Sequence, residues 1–312
     1  IKVNASYGVS NIASYPQKAM NSEQYFTFRE MVDPALKSNQ QFQQLKDFRL
    51  KNNIGTNWRK WIMNENAPTW NAEMSMSGRS TRTDYYISLG AMSQEGIEHF
   101  SNNDRYSVRS NINTRLTDWL KFGINLGIVY QKYKTAGYST TGNSWYNPLN
   151  IATWNLPYAS AYEILTDANG NFTGYGDELD YINDMGTWNY FYLTKLQPSK
   201  RSYLRLNGNM YWEIHPIKGL VIRASQAVEG YDYTNSSKVL SDPNKLLTPS
   251  ATEYFSRYYR ATSTNTAEYK FSLLDNNHFT ALIGQESILS NSKDFSASSK
   301  GHSDNRMMNV DQ

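Results

Sequence analysis

The chain has 312 residues, 31 Lys and Arg against 28 Asp and Glu for a formal net charge of +3, and no cysteine. Without cysteine there are no disulfides and no thiolate metal sites, and basic residues spread along the chain leave no nucleic-acid footprint. A mean hydropathy of -0.68, with no apolar run approaching ~18 residues, excludes a helical membrane protein but not a transmembrane β-barrel, whose lumen-facing residues dilute the signal.

In chain order, Ile1, Val3, Ala5, Tyr7 and Val9 alternate with Lys2, Asn4, Ser6 and Gly8, a period of two that predicts a strand over 1–10. A long connection follows, over about 11–68. Within it Asn21 or Ser22 can cap a helix carrying Tyr25, Phe26, Met31 and Val32, and Gln24 stands three after Asn21 as in a capping box. A second helical stretch runs from about Gln40 to Lys51 on Phe42, Leu45 and Phe48, and a short one surrounds Trp58 and Trp61. All three are read as packing helices on an extended loop.

Strand two alternates Trp70, Ala72, Met74 and Met76 with Asn71, Glu73, Ser75 and Ser77; strand three alternates Tyr85, Ile87, Leu89 and Ala91 with Asp84, Tyr86, Ser88 and Gly90. Strand four sets Tyr106, Val108, Ile112 and Leu116 against Arg105, Ser107, Arg109, Asn111, Asn113 and Arg115, a face too polar for a soluble core. Strand five, Trp119 to Gln131, is the clearest: Leu120, Phe122, Ile124, Leu126, Ile128 and Tyr130 share one face. The chain then leaves the sheet over about 136–200. Strand six, Arg201 to Glu213, alternates Leu204, Leu206, Met210 and Trp212 with Tyr203, Arg205, Asn207 and Asn209. Strand seven lies on Leu220, Ile222 and Ala224, a loop is expected over about 234–253, strand eight over Tyr254 to Phe271, and strand nine from His278 to about Leu289.

The connections between these strands alternate between short and long. Outer-membrane barrels are laid out this way, with brief periplasmic turns and long outer loops. Strands of eleven residues or more exceed the soluble norm of ~5 to 6 and suit the ~9 to 11 tilted residues that cross a bilayer. The expected fold is therefore all-β: an antiparallel up-and-down transmembrane β-barrel, present as about nine strands of a larger one, with short helices in long outer loops. Trp70, Trp119, Tyr130, Tyr133 and Trp212 are expected in the aromatic girdles at the membrane interfaces. The rival of another class is a secreted soluble β-sandwich that binds carbohydrate with the same aromatics.

Residues 56–131 carry a resemblance. Thr56-Asn57-Trp58, Ala67-Pro68, Ser77-Gly78, Thr83-x-Tyr85-Tyr86-x-Ser88-Leu89-Gly90, Gln94-Glu95-Gly96-Ile97, Arg105-Tyr106-Ser107-x-Arg109-x-Asn111 and Asp118-Trp119-Leu120-Lys121, in this order, resemble the SusC/RagA-type TonB-linked outer-membrane transporters of the Bacteroidetes. Asn147-Pro148-Leu149 with Pro157-Tyr158, and Leu282-Ile283-Gly284-Gln285-Glu286, resemble further family segments; Arg79 stands where the family commonly has a glycine. The resemblance implies that residues 1–312 are a segment of the barrel domain, with the plug and remaining strands outside it. It also implies active import of oligosaccharides or peptides, a SusD-like surface lipoprotein as partner, TonB acting through the plug, and an outer-membrane location.

No constellation for covalent chemistry is found, so no enzyme, metal or cofactor is expected. His99, His215, His278 and His302 lack metal-ligand spacing, and Asp167-Ala168-Asn169-Gly170-Asn171 has Phe172 where a calcium loop needs glycine. Asn169-Gly170 is read as a hairpin turn. The aromatics of the segment from Tyr138 to Tyr192 are the candidate ligand contacts, with Trp145, Tyr146, Trp154, Tyr158, Trp188 and Tyr190 singled out because flat rings with a polar edge stack on sugars or hold peptides at low entropic cost. Arg105, Arg109, Arg115 and Arg205 are expected to face the lumen.

Overall fold

The computed structural model describes residues 1–14, 18–136, 148–179, 195–241, 248–274 and 277–307. Its frame is one nine-stranded antiparallel sheet in which each strand pairs with its neighbour in the meander. The strands are β1 (Lys2–Ser10), β2 (Ala67–Arg79), β3 (Thr83–Glu95), β4 (Asn102–Arg115) and β5 (Leu120–Ala136), then β8 (Pro198–Ile214), β9 (Leu220–Val239), β10 (Ser250–Leu273) and β11 (Asn277–Lys300). The hairpin of β6 (Tyr162–Thr166) and β7 (Phe172–Leu179) lies between β5 and β8 and forms its own two-stranded sheet. β1 and β11 are the two edges of the wall, which is not closed.

Register is unbroken across the wall, so residues two apart on each strand form polar and apolar rungs. One rung reads Ser75, Ser88, Arg109, Gly127, Asn207, Glu229, Arg260, Ser290. A trough of about 800 Å³ touches residues of seven consecutive wall strands from Asn71 and Glu73 to Arg260 and Thr262, which requires the sheet to curl around this polar face. The opposite, convex face carries Leu120, Phe122, Ile124 and Leu126, all only half-buried, while Trp70, Met74, Tyr106, Leu206, Met210 and Trp212 stand exposed. Among the described residues no second sheet covers them, which removes the soluble sandwich. A face this apolar and this open is matched to hydrocarbon.

The convex aromatics fall at two levels. Phe122 packs on Trp212 with ring centroids 4.4 Å apart near the short turns, and Tyr106 pairs with Tyr130 near the long connections. From Phe122 to Tyr130 is roughly 26 Å of strand at ~3.3 Å per residue, and tilting brings this near the ~25 Å band of an outer-membrane barrel. Tyr133 departs from the girdle expectation: three residues after Tyr130 it points to the concave side, because side chains alternate with a period of two.

Three strands outrun their sequence estimates. β9 continues to Val239 and β10 begins at Ser250, so the connection expected over 234–253 is confined to 240–249; β11 runs on to Lys300, beyond Leu289. The added residues are mostly polar on both faces, which hides a strand from a reading based on alternating hydropathy.

The first long connection holds α1 (Ser22–Val32), a 3₁₀ turn at Pro34–Ser38, α2 (Gln40–Lys51) and α3 (Trp58–Ile62). The capping box forms as expected: the Asn21 side chain accepts from the Gln24 amide at 2.8 Å, and the Asn21 amide donates to Gln24 Oε1 at 3.1 Å. With α4 (Pro148–Trp154) and the residues after it, these elements form an insert with its own core. Trp58, Ile62, Met63, Ala152, Ala159 and Ala161 cluster there, and the Trp58 indole donates to the Leu156 carbonyl at 2.9 Å. Gly55 is required by close approach: a Cβ would run into Ser22 Oγ and lie 2.7 Å from the Pro157 carbonyl oxygen.

Candidate functional site

The concave face changes character from the short turns to the long connections. Near the turns, Glu213 accepts from Lys121 at 2.7 Å, lies 2.7 Å from His215 Nε2 and faces Arg223 at 3.6 Å. The Arg223 guanidinium sits 4.0 Å from the centroid of the Tyr211 ring, and the Tyr211 hydroxyl donates to Asn113 at 2.9 Å. That ring lies across Gly123, where a Cβ would strike it, so the missing side chain creates the seat. Arg115, one of the arginines expected toward the lumen, lines this turn-side end with Lys121, Arg79 and Arg82.

Midway along, Asn111, Asn125, Asn207 and Asn209 line the trough together with Arg105, Arg109, Glu229 and Arg260, where Arg260 and Glu229 approach at 3.7 Å. Arg205 sits one rung higher, in a recess of about 440 Å³ shared with Gln94, Asn103, Gln131, Tyr133 and Tyr203. Here a feature appears that sequence reading missed. Tyr133, Tyr203, Tyr231, Tyr233, Tyr254 and Tyr258, from four neighbouring strands, share the concave face on three successive rungs. Centroid separations are 4.5 Å for Tyr203 and Tyr233, 6.1 Å for Tyr203 and Tyr231, 5.7 Å for Tyr231 and Tyr258, and 5.8 Å for Tyr233 and Tyr254. The local signal was the pair Tyr231 and Tyr233, two apart and so on one face.

No family model matches the chain. A TonB-dependent receptor, P26, from Formosa agariphila is 27% identical over 227 residues, which is 70% of this chain and 21% of that protein. Among solved structures, the RagAB peptide transporter superposes with a TM-score of 0.75 at 28% identity over 99% of this chain and 37% of the matched chain. The RagAB peptide importer matches at 0.75 in both its closed-closed and open-open states, at 28% and 27% identity, each over 99% of this chain and 36% of that one. By these matches the chain is similar to the SusC/RagA-type TonB-linked outer-membrane transporters. It spans about a fifth of the curated relative and little more than a third of the RagAB chains.

The wall is outer-membrane barrel, and the long connections gather at one rim. The Thr56 amide donates to the Pro157 carbonyl at 2.9 Å, the Asn64 amide to the Ile97 carbonyl at 2.8 Å, and the Leu240 amide to the Leu196 carbonyl at 2.7 Å. Of the aromatics expected to meet ligand, Trp145, Tyr146, Trp188 and Tyr190 lie outside the described residues. Trp154 is half exposed on the insert. Tyr158 is 4% exposed, with its ring 4.8 Å from Phe26 and 5.3 Å from Tyr25, so its faces are taken up by packing and it offers a ligand nothing. Burial is the main cause that pushes its hydroxyl pKa up to about 12. Asp167 accepts from the Asn169 and Asn171 amides at 2.9 and 2.8 Å and from the Asn171 side chain at 3.0 Å, bonds that hold it below the usual carboxylate range, the Asn171 side chain contributing most. It is the turn residue of the β6–β7 hairpin, with Gly170 at φ +79° as the Asn-Gly reading requires.

Proposed function

We propose that this chain supplies part of the barrel wall and outer connections of a TonB-dependent active importer of oligosaccharides or peptides. A SusD-like surface lipoprotein is its partner, and TonB drives it through a plug domain belonging to the same transporter. The observation that supports this reading most is the polar concave face, continuous from the turn-side Glu213 network through the asparagine trough to the tyrosines, opposite a convex face open to lipid. Such a wall lets a hydrophilic solute pass with hydrogen-bond partners at every level. Arg105, Arg109, Arg115 and Arg205 are its lumen-facing cations, and Trp145, Tyr146, Trp154, Trp188 and Tyr190 its outer contacts. The relatives carry the names of receptors and transporters, which agrees with an assignment that involves no covalent chemistry.

The test is uptake of a fluorescent peptide library and an oligosaccharide library by cells expressing the full-length transporter, with and without a functional TonB. The expected result is accumulation that disappears with TonB and falls severalfold when Trp145 and Trp154 are both changed to alanine. Accumulation indifferent to TonB contradicts the import reading; accumulation untouched by the double change removes the outer aromatics from it.

A further inference from the structure

We infer that the six-tyrosine patch, framed by Arg105, Arg109, Arg201 and Arg205, is a binding site on the barrel wall for peptides rich in acidic side chains. The inference rests on the import reading above and names the substrate class and the residues that select it.

Among the described residues the rings belong to no hydrophobic core. A barrel wall is held by its backbone ladder, and its inner face needs only polarity. All six tyrosines are half-buried, touching mainly one another, with interplanar angles of 31° to 64° within the group on β8 to β10. Among the described residues only the Tyr254 hydroxyl has a protein partner, Asp294 at 2.9 Å; those of Tyr133, Tyr203, Tyr231, Tyr233 and Tyr258 have none. Five phenols therefore present donors and acceptors to whatever enters the trough.

The charges around them are unequal. Among the described residues Arg105, Arg109, Arg201 and Arg205 have no ion-pair partner, while Glu229 is approached by Arg260 and Asp294 is held by Tyr254. Glu73 is the remaining carboxylate on the trough lining. Two of the guanidiniums lie near rings of the patch, Arg201 at 5.8 Å from the Tyr133 centroid and Arg205 at 5.1 Å from that of Tyr203, positions that hold the cation over the aromatic surface and leave its outer edge for a carboxylate. Arg201 Nε is buried and without a hydrogen-bond partner.

The setting is of Tyr, Ser, Asn and Gly with Arg at the margins, the composition by which paratopes bind varied ligands: rigid amphipathic rings for contact area, small polar groups for adaptable hydrogen bonds. Tyr133 and Tyr203 lie within 14° of parallel, but the rings from Tyr203 onward are mutually tilted, which favours a peptide over an acidic glycan, since a run of sugar rings needs a longer coplanar platform, whereas side chains of a peptide enter between tilted rings one at a time. The matched RagAB structures are of a peptide transporter, which points the same way.

The experiment measures binding of labelled, end-capped octapeptides of alternating Glu and Phe, or alternating Lys and Phe, and of an oligogalacturonate, to the detergent-purified full-length transporter. The expected result is about tenfold tighter binding of the Glu peptide than of the Lys peptide, a preference erased by Arg201→Gln with Arg205→Gln. Tyr203→Leu with Tyr233→Leu should weaken the Glu peptide by about three- to tenfold, with Tyr→Phe at both positions recovering most of the loss. Folding is checked by heat-modifiable gel migration; if the Leu variant fails it, the Arg→Gln and Tyr→Phe variants decide. Equal affinity for the two peptides, an unchanged preference in the Arg→Gln variant, or tighter binding of the oligogalacturonate overturns the inference. TonB-dependent uptake that persists without any acidic preference sinks this inference alone, whereas loss of TonB dependence sinks the import reading beneath it.

Discussion

In the nine-stranded wall the buried residues are small, Ala67, Ser88, Ser199, Ala251 and Ser256 among them, whereas the insert at the rim holds Phe26, Ile54 and Ile62 at no more than 1% exposure. The wall satisfies its backbone strand to strand and sends its side chains into two different solvents, lipid on the convex face and water on the concave one. The insert does the opposite, excluding water from a side-chain core and capping its helices individually. The difference locates stability: the bilayer supplies the apolar phase for the wall, and the insert must make its own. Damage to either should therefore be separable from damage to the other.

The strongest test of that separation is Phe26→Ala, which removes the ring packed against Phe42 at 5.5 Å and Tyr158 at 4.8 Å. A loss of about 3 to 5 kcal/mol is expected for the insert, read as rapid protease cleavage within 11–66 on intact cells while heat-modifiable migration of the barrel is retained. Simultaneous loss of barrel migration would show that the two regions fold as one. A comparison one residue apart sharpens the wall's half of the contrast. Leu126→Arg, on the convex face, should cost about 2 to 4 kcal/mol in urea unfolding from lipid vesicles. Asn125→Arg, in the trough, should stay within about 0.5 kcal/mol of the parent.

Tyr158 gives the insert a pH dependence of its own. Its phenol is neutral when folded and its pKa, about 12, exceeds the unfolded ~10, so the folded insert keeps its proton longer as pH rises. Stability is then full below pH ~10 and declines by about 2 to 3 kcal/mol as pH climbs toward 12, a decline that Tyr158→Phe should abolish in the same protease assay. The smallest effect is expected from Asn21→Ala, which removes the capping box of α1 and should cost about 1 kcal/mol, seen as faster hydrogen exchange at the first turn of that helix and nowhere in the wall.

Much of this division was legible in the sequence. Leu120 to Tyr130 alternate with Val129 as the one fault, Asn21 and Gln24 announce a cap, and Asn169-Gly170 announces a hairpin. What escaped did so for physical reasons. From Thr234 to Val239 both faces are mostly polar, so alternation carries no contrast and the sequence alone reads as a loop there. The tyrosine patch depends on cross-strand register: Tyr133, Tyr203, Tyr233 and Tyr254 come together only once β5, β8, β9 and β10 are aligned, and no local spacing encodes that alignment. Tyr158 looked like its aromatic neighbours in a loop, yet its burial comes from Phe26 and Tyr25, more than a hundred residues away.

These 312 residues contain no cysteine, so the wall can be probed by cysteines placed one at a time. Single cysteines placed at 124, 126 and 128, and at 125, 207 and 209, in the full-length transporter in outer-membrane vesicles can be reacted with a charged, water-soluble maleimide and, separately, with a fluorophore quenched by brominated lipid. The expected result is maleimide labelling without lipid quenching for the second set, and lipid quenching without maleimide labelling for the first. Convex positions that label from water as fast as the trough positions, or two sets equally shielded from both water and lipid, would contradict a wall that stands between them.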